Sequence, residues 1–181
     1  MPEITLKTKV ILNREEMAVA ISQMGENLAH RLPVDKEIVL LGIQRGGVYL
    51  AERLHQGLSK RCPTKILLGQ LDVSMYRDDL DKRAAPPVYP TIIPGDINDK
   101  TVILVDDVLF RGRTVRAALD ALHDLGRPQV VHLAVLIDRG HRQLPIQAEV
   151  IGKKIDTNLK DQVQVRFKED DGEDVVLLES P

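Results

Sequence analysis

VILVDDVLFRGRT, at residues 102–114, has the pattern of a buried strand that leads through a short polar loop into a helix. The apolar residues run directly into two adjacent carboxylates, Asp106 and Asp107, so we expect the strand to cover residues 101–105. The helix that follows is expected to bury one apolar face and to end at Gly126. The residues of that face are Val115, Leu119, Leu122 and Leu125.

The loop between this strand and helix favours the binding of an anion. The backbone amides of residues 110–114 open the helix, where they lack partners within it and the helix dipole attracts negative charge. Gly112 permits a tight turn, and Arg111 and Arg113 add positive charge. Thr114 can cap the helix and donate to a phosphate oxygen. We therefore predict a phosphate site in this loop.

The two aspartates narrow the choice of ligand. In open parallel sheets, ligands bind beyond the carboxyl ends of the strands, where Asp106 and Asp107 are expected. Two carboxylates would repel a bare phosphate, but they suit a ligand with a phosphate at one end and hydroxyls or a metal at the other. Ribose 5-phosphate with a second, magnesium-bound phosphate group fits that description. The alternative, in which the two acids only cap a turn and bind solvent, leaves the glycine turn and the helix start unexplained.

The rest of the chain alternates strands with helices, which predicts an α/β protein with a largely parallel sheet. Asn13 and Glu16 resemble a capping box that opens a first helix, and Pro33 closes it. A second helix is expected at 48–58, and the C-terminal sequences VQVRF and VVLLE flank an acidic turn as a hairpin. The other predicted strands cover 4–12, 37–43, 65–73, 129–137 and 148–152.

Composition favours one ordinary domain over residues 1–181 in a soluble, cytoplasmic protein. The formal net charge is −2, so the chain as a whole does not attract nucleic acid or anionic membranes. The single cysteine, Cys62, cannot form an internal disulfide, and the start of the chain lacks the apolar core of a signal peptide. Residues 74–100 are polar and rich in proline, a pattern typical of a functional loop or flap.

These motifs resemble those of the type I phosphoribosyltransferases. DDVLFRGRT is similar to the family's motif for phosphoribosyl diphosphate (PRPP), in the form found in members that combine uracil phosphoribosyltransferase activity with regulation of pyrimidine operons. GIQRGG, LDVSMYRDDL, LAVLIDRGHRQLPI and IGKKI extend the resemblance over nearly the whole chain. It implies the type I fold, with a flexible flap at about 74–100 and a small hood built near the termini and from residues 138–147.

The resemblance also implies a role for each motif. Asp106 and Asp107 would hold the ribose hydroxyls directly or through Mg²⁺. Arg45 and Arg77 would stabilise the departing pyrophosphate, and Asp138 and Arg139 would bind uracil. Residues 76–79 would begin the flap. The loop that wraps the 5′-phosphate would consist of Val108, Leu109, Phe110, Arg111, Gly112, Arg113 and Thr114, and the pyrophosphate loop of Gln44, Arg45, Gly46 and Gly47.

Two positions depart from the family pattern. Purine-type members carry an aspartate near the base where this chain has Phe110, and phenylalanine cannot take a proton, so the resemblance favours a pyrimidine substrate. Related regulators commonly carry a hydroxyl residue where this chain has Arg111. That change removes one hydroxyl contact to the phosphate and leaves the loop amides in place, so we expect only a modest effect on PRPP binding.

A second function implied by the family is binding of a pyrimidine-operon leader RNA, with UMP and UTP as effectors and a homodimer or higher oligomer as the binding form. The candidate residues are Arg31, His141, Arg142 and Lys153. The first helix is less basic than this role favours, since it carries Ser22, Gln23 and Glu26, and Gln147 stands where a basic residue is common. Two alternatives remain: a regulator without turnover, and an enzyme that has lost RNA binding.

Overall fold

Five parallel strands form the central sheet of the computed structural model, which describes residues 7–79 and 87–181. The strands lie in the order β3-β2-β4-β5-β6. They are Ile38–Ile43 (β2), Ile66–Leu71 (β3), Thr101–Leu109 (β4), Val130–Asp138 (β5) and Val150–Lys154 (β6). All six residues of β2 are buried, as expected for a central parallel strand covered on both faces.

Helices cover both faces of this sheet. Arg14–Ala29 (α1) and Gly46–Arg61 (α2) pack on one face, where Leu40, Ile103 and Leu136 contribute to a shared apolar core. Arg113–Leu125 (α3) packs on the other face. The predicted α/β fold with a largely parallel sheet is confirmed. Within the described residues, no helix is long and apolar enough to cross a membrane.

A second, antiparallel sheet is built from segments near the two termini. It has the strand order β1-β8-β7, from Lys7–Leu12 (β1), Gln162–Arg166 (β7) and Val175–Ser180 (β8). The predicted C-terminal hairpin is therefore present, and a short helix at Lys168–Asp171 (α4) occupies its turn. Leu12, Phe167 and Val176 of this small sheet and its turn join the same core as α1 and α2. Of residues 138–147, predicted to form part of the hood, Asp138 ends β5 and the others lie in the connection between β5 and β6.

The structure corrects several predicted boundaries. The strand expected at 101–105 continues to Leu109, because the pairing of β4 with β5 persists through Asp106, Val108 and Leu109. Helix α1 ends at Ala29, before the predicted stop at Pro33, and α2 begins at Gly46, before the predicted start at 48. The capping box of Asn13 and Glu16 and the C-cap at Gly126 are confirmed. The predicted residues 4–6 of the first strand lie outside the described residues.

The predicted apolar face of α3 is only half right. Val115 and Leu122 are buried, whereas Leu119 and Leu125 are 40% and 42% exposed. Three alanines, Ala117, Ala118 and Ala121, complete the buried face in their place. Small side chains were overlooked because the expectation rested on large apolar residues alone. These small side chains let α3 lie close to the sheet, beside the loop that precedes the helix.

Candidate active site

Asp106 and Asp107 lie on the last part of β4, at the carboxyl edge of the sheet. Asp106 is buried and Asp107 is partly exposed. The amide of Asp107 donates to Oδ1 of Asp106 at 3.0 Å, and the amide of Val108 donates to Oδ1 of Asp107 at 2.8 Å. Burial and the neighbouring Asp107 carboxylate raise the pKa of Asp106 well above its ordinary value. Burial also raises the pKa of Asp107, but hydrogen bonds from Asp106 and from backbone amides oppose that rise.

The loop that follows forms a cavity of about 310 Å³, and Asp106 lies at its edge. Gly112 has the left-handed conformation, with φ of 90°, and it forms the N-cap of α3. Thr114 was predicted to cap this helix, but it lies inside the helix and lines the cavity instead. The cavity is lined by Arg77, Asp79, Asp106, Val108, Leu109, Phe110, Arg111, Gly112, Arg113, Thr114 and Val115.

The side chain of Arg113 is fixed by contacts outside its own loop. Its Nη1 donates to Oδ2 of Asp78 at 2.5 Å, and its Nε donates to Oε1 of Gln143 at 3.1 Å. Arg116 of α3 reaches the same Asp78 oxygen at 3.4 Å. These contacts hold Asp78, within the predicted start of the flap at 76–79, beside the cavity that Arg113 lines.

The loop at 44–47 lies directly across from the two aspartates. A methyl group at Gly46 would overlap the carboxylate of Asp107, and one at Gly47 would overlap the carbonyl oxygen of Val105. Both glycines are therefore needed for the close packing of this loop on β4. The peptide between Gln44 and Arg45 is cis. The Nε2 of Gln44 donates to Oε1 of Gln70 at 2.8 Å, which fixes the loop to β3.

A second cavity, of about 360 Å³, opens between this loop and the aspartates. Asp72 lines this cavity and forms hydrogen bonds to Ser74 and Tyr89, which belong to the two described parts of the predicted flap. Residues 80–86 of the predicted flap lie outside the described residues. The Oδ1 of Asp72 accepts from the Ser74 hydroxyl at 2.7 Å, and its Oδ2 accepts from the Tyr89 amide at 3.3 Å. The lining residues are Gln44, Arg45, Asp72, Val73, Ser74, Arg77, Pro87, Tyr89, Asp106, Asp107, Val108 and Thr114.

Arg45 has partners on two sides. Its guanidinium lies 5.8 Å from the centre of the Tyr89 ring and forms an ion pair with Asp170 of α4. The Asp170 carboxylate raises the pKa of Arg45 above its ordinary value, so this arginine stays charged. Arg77, the other predicted pyrophosphate ligand, lines both cavities and pairs with Asp79 at 2.9 Å.

Two guanidinium groups lie near the ring of Phe110 in the phosphate loop. The guanidinium of Arg139 lies 3.9 Å from the centre of its ring, and that of Arg111 lies 5.0 Å away. His141 meets the ring edge-on, with 5.9 Å between ring centres. Cation–π attraction therefore helps to fix the ring, which lines the phosphate-loop cavity and is not on the wall of the cavity beside residues 44–47.

The two residues predicted to bind uracil lie at the end of β5 and have protein partners. Both oxygens of Asp138 accept from Nη2 of Arg142 at 2.7 Å. Arg139 is buried, and it donates to the backbone carbonyls of Asp161 and Asn158 at 2.8 and 2.9 Å. The Arg139 Nε is buried without a hydrogen-bond partner.

The four basic residues predicted to bind RNA are not equivalent. Arg142 is held by Asp138 and donates to the carbonyl oxygen of Phe110 at 2.6 Å, so it supports the backbone of the phosphate loop. A ring nitrogen of His141 lies 2.6 Å from the carbonyl oxygen of Thr157. Arg31 and Lys153 are exposed, and Lys153 lies in a groove with Glu15, Glu16 and Gln23.

Sequence reasoning assigned no role to Asp72, Tyr89 or Asp170, and it placed Asp78 at the start of the flap without its arginine partners. Asp72 directly follows the apolar end of β3, as Asp106 follows an apolar run, and this signal could have identified it. Asp78 and Asp170 lie in acidic runs whose partners are 35 and 125 residues away in the chain, so no local pattern marks them. Among residues 7–79 and 87–181, no group of three or more His, Cys, Asp or Glu side chains could hold a metal ion by itself.

Comparison with known proteins adds the family. Residues 11–170 match the family model described as "Phosphoribosyl transferase domain". A protein of Chloroflexus aurantiacus named "Bifunctional protein PyrR" is 50% identical over 171 residues, which cover 94% of each chain. Proteins of the same name from Streptomyces coelicolor and Listeria monocytogenes are 46% and 45% identical, and the matches cover 95% of this chain and 90% and 97% of those proteins.

The fold has solved counterparts as well. A hypoxanthine phosphoribosyl transferase of Trypanosoma cruzi superposes with a TM-score of 0.73 at 18% identity, covering 100% of this chain and 95% of that one. A hypoxanthine-guanine phosphoribosyltransferase of Bacillus anthracis gives 0.67 at 19% identity, with 84% and 86% covered. At such identities the likeness concerns the fold and carries no argument about the base that is used.

Proposed function

The chain belongs to the phosphoribosyltransferase family, within the branch of the bifunctional PyrR proteins, and we propose that it converts uracil and PRPP to UMP and pyrophosphate and also regulates pyrimidine genes. One observation carries the enzymatic part. The cavity of the phosphate loop and the cavity of the pyrophosphate loop share Arg77, Asp106, Val108 and Thr114. A single elongated ligand with an anionic group at each end fits such a pair of cavities.

PRPP would lie across the two aspartates. Its 5′-phosphate would accept hydrogen bonds from the amides that open α3, at the left-handed Gly112. Its ribose hydroxyls would donate to Asp106 and Asp107, and its diphosphate would face the loop at 44–47, near Arg45 and Arg77. This placement supplies the positive charge at both ends of the ligand and the acceptors in its middle.

The reaction breaks the bond between the ribose anomeric carbon and the diphosphate oxygen and forms a bond from that carbon to N1 of uracil, whose proton is lost to solvent. The transition state places positive charge on the ribose and negative charge on the leaving group. Asp106 and Asp107 would stabilise the first, and Arg45 and Arg77 the second. Transfer by direct displacement needs no side-chain nucleophile.

The donor set fits Mg²⁺ bound together with the substrate. Asp107 and Asp72 present carboxylates to the pyrophosphate cavity, and carboxylate oxygens are suitable ligands for this ion. Because the described residues contain no cluster sufficient for a metal, the substrate's oxygens and water would complete the coordination. When bound, the ion would neutralise charge on the leaving diphosphate.

Uracil is proposed as the base because of the face that Phe110 presents. The ring lies near the guanidinium groups of Arg139 and Arg111 and offers no group that takes or gives a proton, which suits a small pyrimidine ring better than a base that needs protonation. Asp138 and Arg139 would act on the base through the backbone they hold, because their side chains have protein partners.

The enzymatic proposal is tested by incubating the purified protein with PRPP, Mg²⁺ and either uracil or hypoxanthine. We expect equal amounts of UMP and pyrophosphate from uracil and little product from hypoxanthine. Asp107→Asn should abolish turnover while the far-ultraviolet circular dichroism stays unchanged. Faster reaction with hypoxanthine would contradict the choice of base, and no product with either base would contradict the proposed activity.

The regulatory part rests on the relatives' name and on two exposed basic residues, Arg31 and Lys153. We propose that the protein binds a pyrimidine-leader hairpin with phosphate contacts, more tightly when UMP is present. The measurement is the RNA dissociation constant against salt concentration, for the wild type and for Lys153→Gln. Affinity that falls with salt and drops in the variant supports the proposal. No binding at low salt with UMP present would contradict it.

A further inference from the structure

The acidic turn between β7 and β8 touches the pyrophosphate loop through one residue, Asp170. Residues 169–174 carry five acids. Glu169 and Asp174 pair with Arg53 of α2 at 2.6 and 2.7 Å, and Glu173 pairs with Arg166 at 2.9 Å. Asp171 accepts from the amide of Phe167 at 3.0 Å. Asp170 reaches out of the turn to Arg45.

Several contacts hold the turn in place, and they fix the position of Asp170. Phe167 is 1% exposed and packs against Tyr49, with 5.7 Å between ring centres. The guanidinium of Arg53 lies 5.2 Å from the centre of the same ring and is held by the two carboxylates. These contacts fix α4 beside the first turn of α2, which contains no acidic residue of its own. A carboxylate at a helix start is stabilised by the helix dipole.

Asp170 pairs with the positive charge of Arg45, which the diphosphate would need for its binding. Arg45 lines the pyrophosphate cavity, whereas Asp170 is not on its wall. The cavity already contains the carboxylates of Asp72, Asp106 and Asp107. An ion pair with Asp170 offsets the positive charge of Arg45 close to the place where an anion of high charge must bind and leave.

We propose that Asp170 is a positioning residue that lowers the affinity of the site for the pyrophosphate group by pairing with Arg45, and so favours release of that product. This inference rests on the proposed function and adds a residue that sets the affinity at one end of the crevice. PRPP binding would require the guanidinium to turn from Asp170 toward the diphosphate, and departure of pyrophosphate would restore the pair.

The effect is limited in size because both partners are partly exposed, with side-chain exposures of 51% for Arg45 and 31% for Asp170. Pairs of this kind are weak and are screened by salt. Asp170→Asn should therefore tighten inhibition by magnesium pyrophosphate about two- to five-fold and lower the KM for PRPP by a similar factor. The affinity for UMP, which lacks the diphosphate, should not change.

The test compares the inhibition constant of magnesium pyrophosphate with the dissociation constant of UMP in the wild type, Asp170→Asn, Asp170→Glu and Glu173→Gln. Glu173→Gln removes an ion pair from the same turn and is expected to match the wild type, as is Asp170→Glu. In an Arg45→Gln background, Asp170→Asn should have no further effect on pyrophosphate. The gain in Asp170→Asn should shrink as salt is raised.

Three results would overturn the inference: unchanged or weaker pyrophosphate inhibition in Asp170→Asn, an equal gain in Glu173→Gln, or a gain that persists without Arg45. A parallel change in UMP affinity would also overturn it, because it would point to a structural effect of the turn. If the wild type neither turns over PRPP nor binds pyrophosphate, the proposed function fails and the inference fails with it.

Discussion

The two anion loops of the crevice are built in different ways. The phosphate loop at 108–114 is a local structure: β4, the left-handed Gly112 and the start of α3 follow one another directly in the chain. The pyrophosphate loop at 44–47 depends on distant residues. Its glycines pack on β4, Gln44 is held by Gln70, and Arg45 is held by Asp170. The residues of both loops were predicted from the sequence, but the contacts that hold the second loop are evident only in three dimensions.

The largest difference between the two loops is expected when one glycine of each, Gly47 or Gly112, is replaced by alanine. Gly47→Ala forces backbone against backbone at Val105, so we expect a loss of about 2–4 kcal/mol in the free energy of unfolding and at least a hundred-fold loss of activity. Gly112→Ala meets Ile146 and Leu144 at ordinary contact distances of 3.4–3.6 Å, so its cost of about 1–2 kcal/mol comes from the positive φ. Urea titration and initial rates measure both. If the two variants lost equal free energy of unfolding and equal activity, the contrast between the tight packing at Gly47 and the backbone conformation at Gly112 would be wrong.

Asp106 lies on the wall of both cavities, so its replacement should impair both ends of the ligand. Asp106→Asn is expected to lower kcat/KM for PRPP about a hundred-fold by removing a charge beside the ribose. The same variant should be more stable than the wild type at neutral pH. Burial beside Asp107 raises the pKa of Asp106 in the folded protein, so the stability that its protonation provides is present at low pH and is lost as pH rises.

Urea titrations at several pH values, which give the free energy of unfolding, check this second effect. The difference in the free energy of unfolding between Asp106→Asn and the wild type should widen from pH 5 to pH 8 and reach about 1–2 kcal/mol. A gap that stays constant over that range would show that Asp106 carries no raised pKa in the folded protein.

The sequence was most informative where structure is local. The strand, paired acids, glycine and helix of residues 102–114 follow one another in the predicted order, although the strand is longer than expected and Gly112 rather than Thr114 forms the helix cap. The alanines on the buried face of α3 were missed because they lack an apolar signature of their own. Asp170 was missed for another reason: Arg45 is its partner across 125 positions, and only the folding of the small sheet onto α2 brings them together.

The arginines of the two loops should act at opposite ends of the ligand. Arg113→Gln is expected to weaken UMP binding about five- to ten-fold with little effect on pyrophosphate. Arg45→Gln should weaken pyrophosphate inhibition about three-fold and leave UMP unchanged, a smaller effect because Asp170 already compensates its charge. Titration calorimetry with each ligand measures the split. If each variant weakened both ligands equally, the assignment of one loop to each end would be wrong.

Arg111→Thr should have the smallest effect. Arg111 is exposed and its guanidinium lies over Phe110, while in the proposed function the loop amides would hold the phosphate. We expect the KM for PRPP to change by less than about three-fold, since the lost charge is screened and the new hydroxyl can donate. Steady-state kinetics at physiological salt are sufficient. Complete loss of activity would show that the side chain is essential and that the backbone alone does not form the site.

The most direct measurement is a crystal structure of the protein with UMP. The phosphate should accept hydrogen bonds from the amides of residues 110–114, the ribose hydroxyls should contact Asp106 or Asp107, and the uracil should lie toward Phe110. UMP bound elsewhere, with the crevice between the two loops filled only by water, would contradict the account.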